Sequence, residues 1–312
     1  MKTLKLIQSD SYLRPYASAI EGRYNYAVYQ EKKLTGGQKL SDWANGFMYF
    51  GLHHTDGQWI FREWAPNATA IYIIGDFNSW KKSENYRLQP VGNGVWEAIL
   101  PDQAMQHEQL YKLLVEWQGG WGERIPSYAT RVVQDENTKL FSAQVWAPKE
   151  EKVEKLKIKG AKRRKASDPL FIYECHVGMS SEEEKVNSYD EFRRDILPRI
   201  AKLGYNCLQI MAIQEHPYYG SFGYHVSNFF AVSSRCGTPE ELKHLIADAH
   251  AYGMDVIMDI VHSHAVKNEL EGLGNFDGTP YQYFHDGARR EHPAWDSLCF
   301  NYGKDEVLHF LL

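Results

Sequence analysis

Downstream of residue 170 the chain alternates between short apolar runs and longer stretches in which apolar residues recur at helical spacing. Leu170–His176, Asn206–Ile213 and Met254–Val261 are apolar runs with β-branched residues. That is the pattern of strands covered on both faces in a parallel sheet. Between them lie two amphipathic segments, Tyr189–Leu203 and Pro239–Tyr252. Ser188 reads as an N-cap for the first and Gly204 as its stop, while Pro198 predicts a kink or a break within it. Thr238 reads as the N-cap of the second, Pro239 as its first helical residue and Gly253 as its stop. This βαβαβ rhythm predicts crossover connections and a parallel sheet. A further helix begins over Asp305–Leu312 without a C-cap or polar stop, which reads as an end cut from a longer chain.

Upstream the period changes. Short runs at Trp59–Trp64, Ala70–Ile74, Val95–Leu100, Leu110–Glu116 and Phe141–Trp146 are separated by turn residues such as Asp56-Gly57, Pro66-Asn67 and Gly92-Asn93-Gly94. Regularly spaced short strands predict an Ig-like β-sandwich over residues 44–148. Residues 1–43 read as a helical segment, with helical spacing over Ser18–Leu34 ended by Gly36-Gly37. Residues 149–168 are rich in lysine and arginine and lack aromatics, which reads as a solvated linker. The chain thus divides into a helical lead-in, a sandwich, a linker and a βα region over residues 169–312.

Composition narrows the function. A chain of 312 residues with a net charge of -5 is long enough for two domains and argues against nucleic acid as a partner. No apolar run is long enough to span a membrane, and the N-terminus lacks the apolar core of a signal peptide. Cys175, Cys207, Cys236 and Cys299 show no paired spacing and read as free thiols, which points to the cytoplasm. The 9 Trp and 20 Tyr provide flat amphipathic faces suited to sugar rings, although each one also suits a core.

Candidate chemistry collects at the C-terminal ends of the three βα strands. The first carries Tyr173, Glu174 and His176. The second leads into the loop Gln214–Ser234, with His216, Tyr218, Tyr219, Tyr224 and His225. The third ends in Asp259, His262 and His264. In a β/α barrel the active site forms at that rim. Two readings compete for the histidines. They could join Asp259 as metal ligands, but no third His or Cys stands at matching spacing. Alternatively they bond sugar hydroxyls while Tyr224 stacks on the ring.

Several segments carry a resemblance. Phe171-Ile-Tyr-Glu-Cys-His-Val-Gly, Leu203-Gly-Tyr-Asn-Cys-Leu-Gln-Ile-Met-Ala-Ile, Ser221-Phe-Gly-Tyr-His-Val, Gly237-Thr-Pro-Glu-Glu-Leu and Asp259-Ile-Val-His-Ser-His together resemble the 1,4-α-glucan branching enzymes of the α-amylase clan, glycoside hydrolase family 13. Trp64-Ala-Pro and Gly75-Asp-Phe-Asn-Ser-Trp80 resemble that family's carbohydrate-binding module of family 48. The likeness runs from about Trp43 to Leu312.

The resemblance implies a (β/α)8 TIM barrel, truncated here, and a retaining double displacement that cleaves α-1,4 bonds and forms α-1,6 branches in glycogen. It places Tyr224, Asp259 and His264 at the donor sugar, and Trp64, Ala65, Pro66 and Trp80 on glucan in the sandwich. It implies no cofactor and no metal, a glucan partner and a monomer. The family's nucleophile Asp and acid Glu belong to later strands, and a full barrel takes about 250 residues. Catalytic residues are therefore expected beyond Leu312, and nothing places Asp286, Asp305 or Glu306 in that role. Two rivals remain at this stage: a non-catalytic glucan-binding protein, and a debranching or isoamylase-type relative, which the loop Tyr218–Val226 argues against.

Overall fold

The computed structural model describes residues 4–148, 158, 165 and 167–312. Most of the expected linker at 149–168 lies outside the described residues. The chain separates into two compact units, one formed by Met1–Met48 with Tyr302–Leu312 and the other by Tyr49–Asn301. Residues 302–312 therefore group with the N-terminal segment.

The first unit is helical: α1 Lys5–Ser9, α2 Ala17–Thr35, α3 Leu40–Trp43 and the start of α4 Gly46–Tyr49. The long helix α2 ends at Gly36, whose φ of +62° lets the chain turn out of the helix without a Cβ clash. Lys32 and Lys33 sit in its last turn, where the exposed carbonyls favour cations. His309 of the C-terminal helix packs edge-on against Trp43 at 5.0 Å, and its Nε2 lies 3.1 Å from Asn45 Oδ1.

The second unit begins with the expected sandwich. One sheet runs β1 (Gly51–Thr55), β2 (Gln58–Trp64), β5 (Val95–Pro101), β4 (Gln89–Gly92). The other runs β3 (Ala68–Gly75), β6 (Leu110–Trp117), β9 (Phe141–Gln144), β8 (Val132–Gln134), with β7 (Gly120–Arg124) also on β6. All pairings are antiparallel. Phe61, Ile71, Ile73, Leu113 and Val115 are fully buried between the sheets, which is what their alternation along β2, β3 and β6 dictates.

The remainder of the unit carries three parallel strands, β10 (Ile172–Cys175), β11 (Cys207–Ile210) and β14 (Asp255–Met258), in that order. Between β10 and β11 comes one helical run: α5 (Tyr189–Glu191), a π turn (Phe192–Ile196) and α6 (Leu197–Lys202). Ser188 and Glu191 close a reciprocal capping box at its start. The break expected at Pro198 takes the form of that π turn. Proline has no N–H for the turn before it, and the ladder widens there. Helix α7 (Pro239–Ala251) is capped by Thr238 with Glu241, and Gly253 leaves it at a φ of +84°.

Phe192, Leu197, Ile200, Leu208, Ile210, Leu242, Leu245 and Met254 form the core between helices and strands. The register aligns Ile172, Cys207 and Asp255, and then Glu174, Gln209 and Ile257. Side chains alternate along a strand, so these residues point away from the helices. Ile172 and Ile257 are exposed there. A sheet helical on one side and apolar on the other is the wall of a β/α barrel.

The sandwich is bonded to the βα region at several points. Asn67 N–H and Nδ2 donate to Asp277 Oδ2 and O at 3.1 and 2.9 Å. Arg124 Nε and Nη2 donate to the Asn275 carbonyl. Trp146 Nε1 donates to Glu240 at 2.8 Å. Among the described residues no helix is long and apolar enough to cross a membrane.

Candidate functional site

Polar residues after β14 and in the loop after β11 come together. Asp259 follows β14, and its N–H bonds the Ile210 carbonyl at 3.0 Å, which holds it against the end of β11. Tyr224 reaches it from the loop after β11. Its hydroxyl donates to Asp259 Oδ2 at 2.6 Å. Burial, followed by the hydrogen bond and charge of Asp259, pushes the Tyr224 phenol up to about 12. The tyrosine is therefore a neutral donor at physiological pH.

The approach of Tyr224 depends on its neighbour. Gly223 has a φ of +87°, and a Cβ there would lie 2.0 Å from the Ala212 carbonyl oxygen. The loop is fixed at its base by a hairpin of β12 (Gln214–Glu215) and β13 (Asn228–Val232). Glu215 is fully buried and accepts bonds from Ser234 N–H at 2.7 Å and His216 N–H at 3.0 Å. Arg235 lies 3.5 Å from it and also donates to the carbonyls of His216 and Pro217.

His264 is held by backbone on both sides. Its carbonyl accepts from Val226 N–H at 3.0 Å, and the next carbonyl, of Ala265, accepts from Leu298 N–H at 2.8 Å. Its Nδ1 lies 3.0 Å from the buried Ser297 Oγ. Burial, then the nearby His292 and His225, lowers its proton affinity. Tyr224 and Asp259 are thus hydrogen-bonded to each other, and His264 is tied by its backbone to Val226, two residues beyond Tyr224. His262 is exposed beside it. Among the described residues no group of three or more His, Cys, Asp or Glu side chains could hold a metal ion.

The sandwich candidates divide. Trp64 is buried edge-on against Tyr283 at 5.4 Å, and its carbonyl accepts from Gln282 Nε2. Ala65 is fully buried, and its carbonyl accepts from Trp96 Nε1 at 3.0 Å. Pro66 is exposed. Trp80 is 38% exposed on a turn where both it and Ser79 take positive φ, and its Nε1 donates to Asp76 at 3.0 Å.

Sequence reasoning missed Trp121, which is 66% exposed on β7 opposite Glu116. Glu116 pairs with Lys82 at 2.5 Å, two residues beyond Trp80. Trp121 sits between Gly120 and Gly122, where no apolar alternation marks a strand. Glu215 and Ser297 were also missed, because strands of two residues carry no periodic signal.

Residues 49–129 match the model of carbohydrate-binding module 48, the isoamylase N-terminal domain, and residues 194–291 match the alpha amylase catalytic domain. The chain is 47% identical to the 1,4-alpha-glucan-branching enzyme 2-2, chloroplastic/amyloplastic, of Arabidopsis thaliana, covering 99% of this chain and 38% of that protein. It is 42% identical to the 1,4-alpha-glucan-branching enzyme of Yarrowia lipolytica, covering 99% of this chain and 45% of that protein. The chain therefore spans less than half the length of these curated relatives. Among solved structures, the Paenibacillus barengoltzii pullulanase in complex with maltohexaose and alpha-cyclodextrin matches with a TM-score of 0.66 at 17% identity, covering 90% of this chain and 49% of that one. The Bacillus acidopullulyticus pullulanase matches with a TM-score of 0.64 at 18% identity, covering 84% and 35%. At that identity the likeness carries the fold: a sandwich followed by the first part of a (β/α)8 barrel.

Proposed function

Belonging as it does to the 1,4-alpha-glucan-branching enzymes of glycoside hydrolase family 13, this chain carries, we propose, the donor-sugar shell of a glucan branching reaction. The reaction is cleavage of an α-1,4 bond and transfer of the freed chain to a glucan 6-hydroxyl, with retention of configuration. The observation that carries this reading is the 2.6 Å bond from Tyr224 to Asp259 at the strand rim that also presents His264. Tyr224 offers a ring face to one side of a glucose unit. Asp259 accepts from hydroxyls and His264 exchanges hydrogen bonds with them.

Both carboxylates of this rim are engaged by neighbouring side chains. Glu174 stands on β10 and Asp259 beyond β14, with β11 between them. Asp259 accepts from the Tyr224 hydroxyl at 2.6 Å, and Glu174 accepts from Gln209 Nε2 at 3.4 Å. The cluster binds and orients a sugar, and the groups that break the bond are not among the residues gathered here. Trp80 and Pro66 serve the sandwich as glucan contacts, with Trp64 and Ala65 shaping the strand end beneath Pro66. No cofactor enters the reaction, and the protein works as a cytoplasmic monomer in glycogen biosynthesis, in keeping with four cysteines that are not joined in disulfides.

The test is a glucan titration followed by nuclear magnetic resonance, alongside linkage analysis of amylose incubated with the chain. Maltoheptaose should shift the Tyr224 and His264 signals, and the Tyr224→Ala variant should lose that response. New α-1,6 linkages made by this chain alone would contradict the separation of binding from bond cleavage.

A further inference from the structure

His216 Nε2, Tyr219 Oη and Ser233 Oγ are buried, and among the described residues none of the three has a hydrogen-bond partner. An unmatched buried polar atom costs about 1–3 kcal/mol, so three in one region call for an explanation. All three residues line one cavity, between the loop Gln214–Ser234 and the turn Val177–Met179 that follows β10. The centre of a water molecule has about 20 Å³ to occupy there. About 10–15 Å³ suffices for one water.

The surroundings fix the roles of these atoms. His216 Nδ1 lies 2.9 Å from the Gln214 carbonyl. A carbonyl only accepts, so Nδ1 carries the proton and Nε2 is a bare acceptor. Burial lowers the proton affinity of the ring and keeps it neutral. The backbone of Ser233 is already engaged: its N–H donates to the Ile213 carbonyl at 2.7 Å, and its carbonyl accepts from Tyr189 Oη at 3.3 Å. The Tyr219 hydroxyl sits over Gly178, where a Cβ would come within 2.7 Å of it. Two hydroxyls and one acceptor are thus left with hydrogen bonds to make beside the cavity. A water molecule, with two donors and two acceptor sites, serves all three. A cation would lose its hydration there without a counter-charge from the buried Glu215, which is taken up by Ser234, His216 N–H and Arg235.

We infer that the cavity is an internal water site, in which one water donates to His216 Nε2 and bridges the Tyr219 and Ser233 hydroxyls, and that this water pegs the turn leading to Tyr224. Tyr219 opens that turn. Its carbonyl accepts from Phe222 N–H at 3.0 Å, and the Ser221 carbonyl accepts from Tyr224 N–H at 3.0 Å. Phe222 takes a φ of +53° and Gly223 one of +87°. A non-glycine residue in that region costs energy and persists only where its surroundings hold it. A bonded Tyr219 hydroxyl at the first residue of the turn supplies such a hold. The peg is independent of what the rim binds.

Nuclear magnetic resonance of the chain tests this without any sugar. Cross-relaxation between a long-lived water and protons of the His216 ring and the Ser233 amide is the expected result. Tyr219→Phe keeps the ring and removes one hydroxyl, and Ser233→Ala removes the other. Each variant should weaken the water cross-peaks and move the His216 Nε2 nitrogen shift. Each should also speed exchange of the Phe222 and Tyr224 amide hydrogens about fivefold, as the loss of one net hydrogen bond implies. Absence of water cross-peaks in the parent chain overturns the site. Uptake of xenon by the cavity overturns it too, because xenon occupies dry apolar space. Cross-peaks that change when sodium chloride is replaced by tetramethylammonium chloride at equal strength put an ion there and overturn it likewise. Unchanged amide exchange in both variants overturns the peg, since the water would then only fill space.

Discussion

Ser297 Oγ lies 3.0 Å from His264 Nδ1, with the serine fully buried and the imidazole partly open. The bond fixes which ring nitrogen faces the protein and presents Nε2 to any ligand. Ser297→Ala is expected to release the imidazole from its fixed orientation and to weaken glucan binding by about 1 kcal/mol, a typical net value for one hydrogen bond. Nitrogen chemical shifts of His264 check this directly, and shifts identical to those of the parent chain would sink the idea.

The same ring titrates below the usual histidine range, through burial first and then through His292 and His225. A histidine whose folded pKa is depressed contributes no penalty while neutral. It costs stability as pH falls through its ordinary value near 6.5. Replacing His292 with Gln removes one of the neighbours that lower it, so the His264 pKa should rise. A proton titration that leaves it unmoved would show that burial alone sets it.

Glu63 provides a larger pH effect. It is fully buried in β2 and accepts from Ser127 N–H at 2.9 Å, Ser127 Oγ at 2.5 Å and Trp64 N–H at 3.0 Å. Burial outweighs these bonds and raises its pKa from 4.5 to about 7. A carboxyl raised on folding favours the folded state below its unfolded pKa, and that contribution is lost as pH climbs through the folded one. Between pH 4.5 and 7 the loss amounts to about 3 kcal/mol at 1.36 kcal/mol per pKa unit. Glu63→Gln should flatten this part of the stability curve, gaining on the parent from about pH 4.5 upward and reaching its full relative advantage above about pH 7. Denaturant midpoints measured for both chains from pH 5 to 8 decide it, and parallel curves would count against a neutral Glu63.

How much of this was legible in sequence depends on period. The strands β10, β11 and β14 read correctly because each is a β-branched run flanked by capped helices, and Ser188, Thr238, Gly204 and Gly253 mark those helices within a residue or two. Asp259 and His264 were legible as polar residues after the third strand and Tyr224 as part of the loop after the second, while their place at a donor sugar came only from the resemblance. β15 (Glu291–His292) and β16 (Ser297–Leu298) are only two residues each, too short to show any alternation, so the hairpin that brings Ser297 and Trp295 to His264 left no trace. Burial also escapes a pattern reading. Trp64 and Trp80 look alike in sequence, yet one closes a core and the other lies on a turn.

Gly223 is expected to be irreplaceable. A side chain there faces both a positive φ and a backbone oxygen at 2.0 Å that has no flexible side-chain end to give way. Gly223→Ala should cost more than about 2 kcal/mol, the sum of a left-handed backbone penalty and a displaced loop. Because the next residue is Tyr224, glucan binding should fall further than stability alone explains. Thermal unfolding together with the Tyr224 signal checks both parts, and a variant of parental stability would show that the loop relaxes freely.

The two tryptophans of the sandwich should separate by experiment. Trp64 fills space against Tyr283, so Trp64→Ala leaves a cavity and should destabilise the fold by about 3–5 kcal/mol. Trp80 and Trp121 lie on the surface, flanking the Lys82–Glu116 ion pair. Trp80→Ala and Trp121→Ala should each leave the melting temperature nearly unchanged while weakening retention on immobilised amylose by about 1 kcal/mol per ring. The double variant tests whether the rings act on one glucan chain. If they do, the second loss differs from the first, because contacts that share a ligand are not additive. Retention equal to that of the parent chain in the double variant would remove this face from the binding surface and leave the strand-rim cluster as the site to pursue.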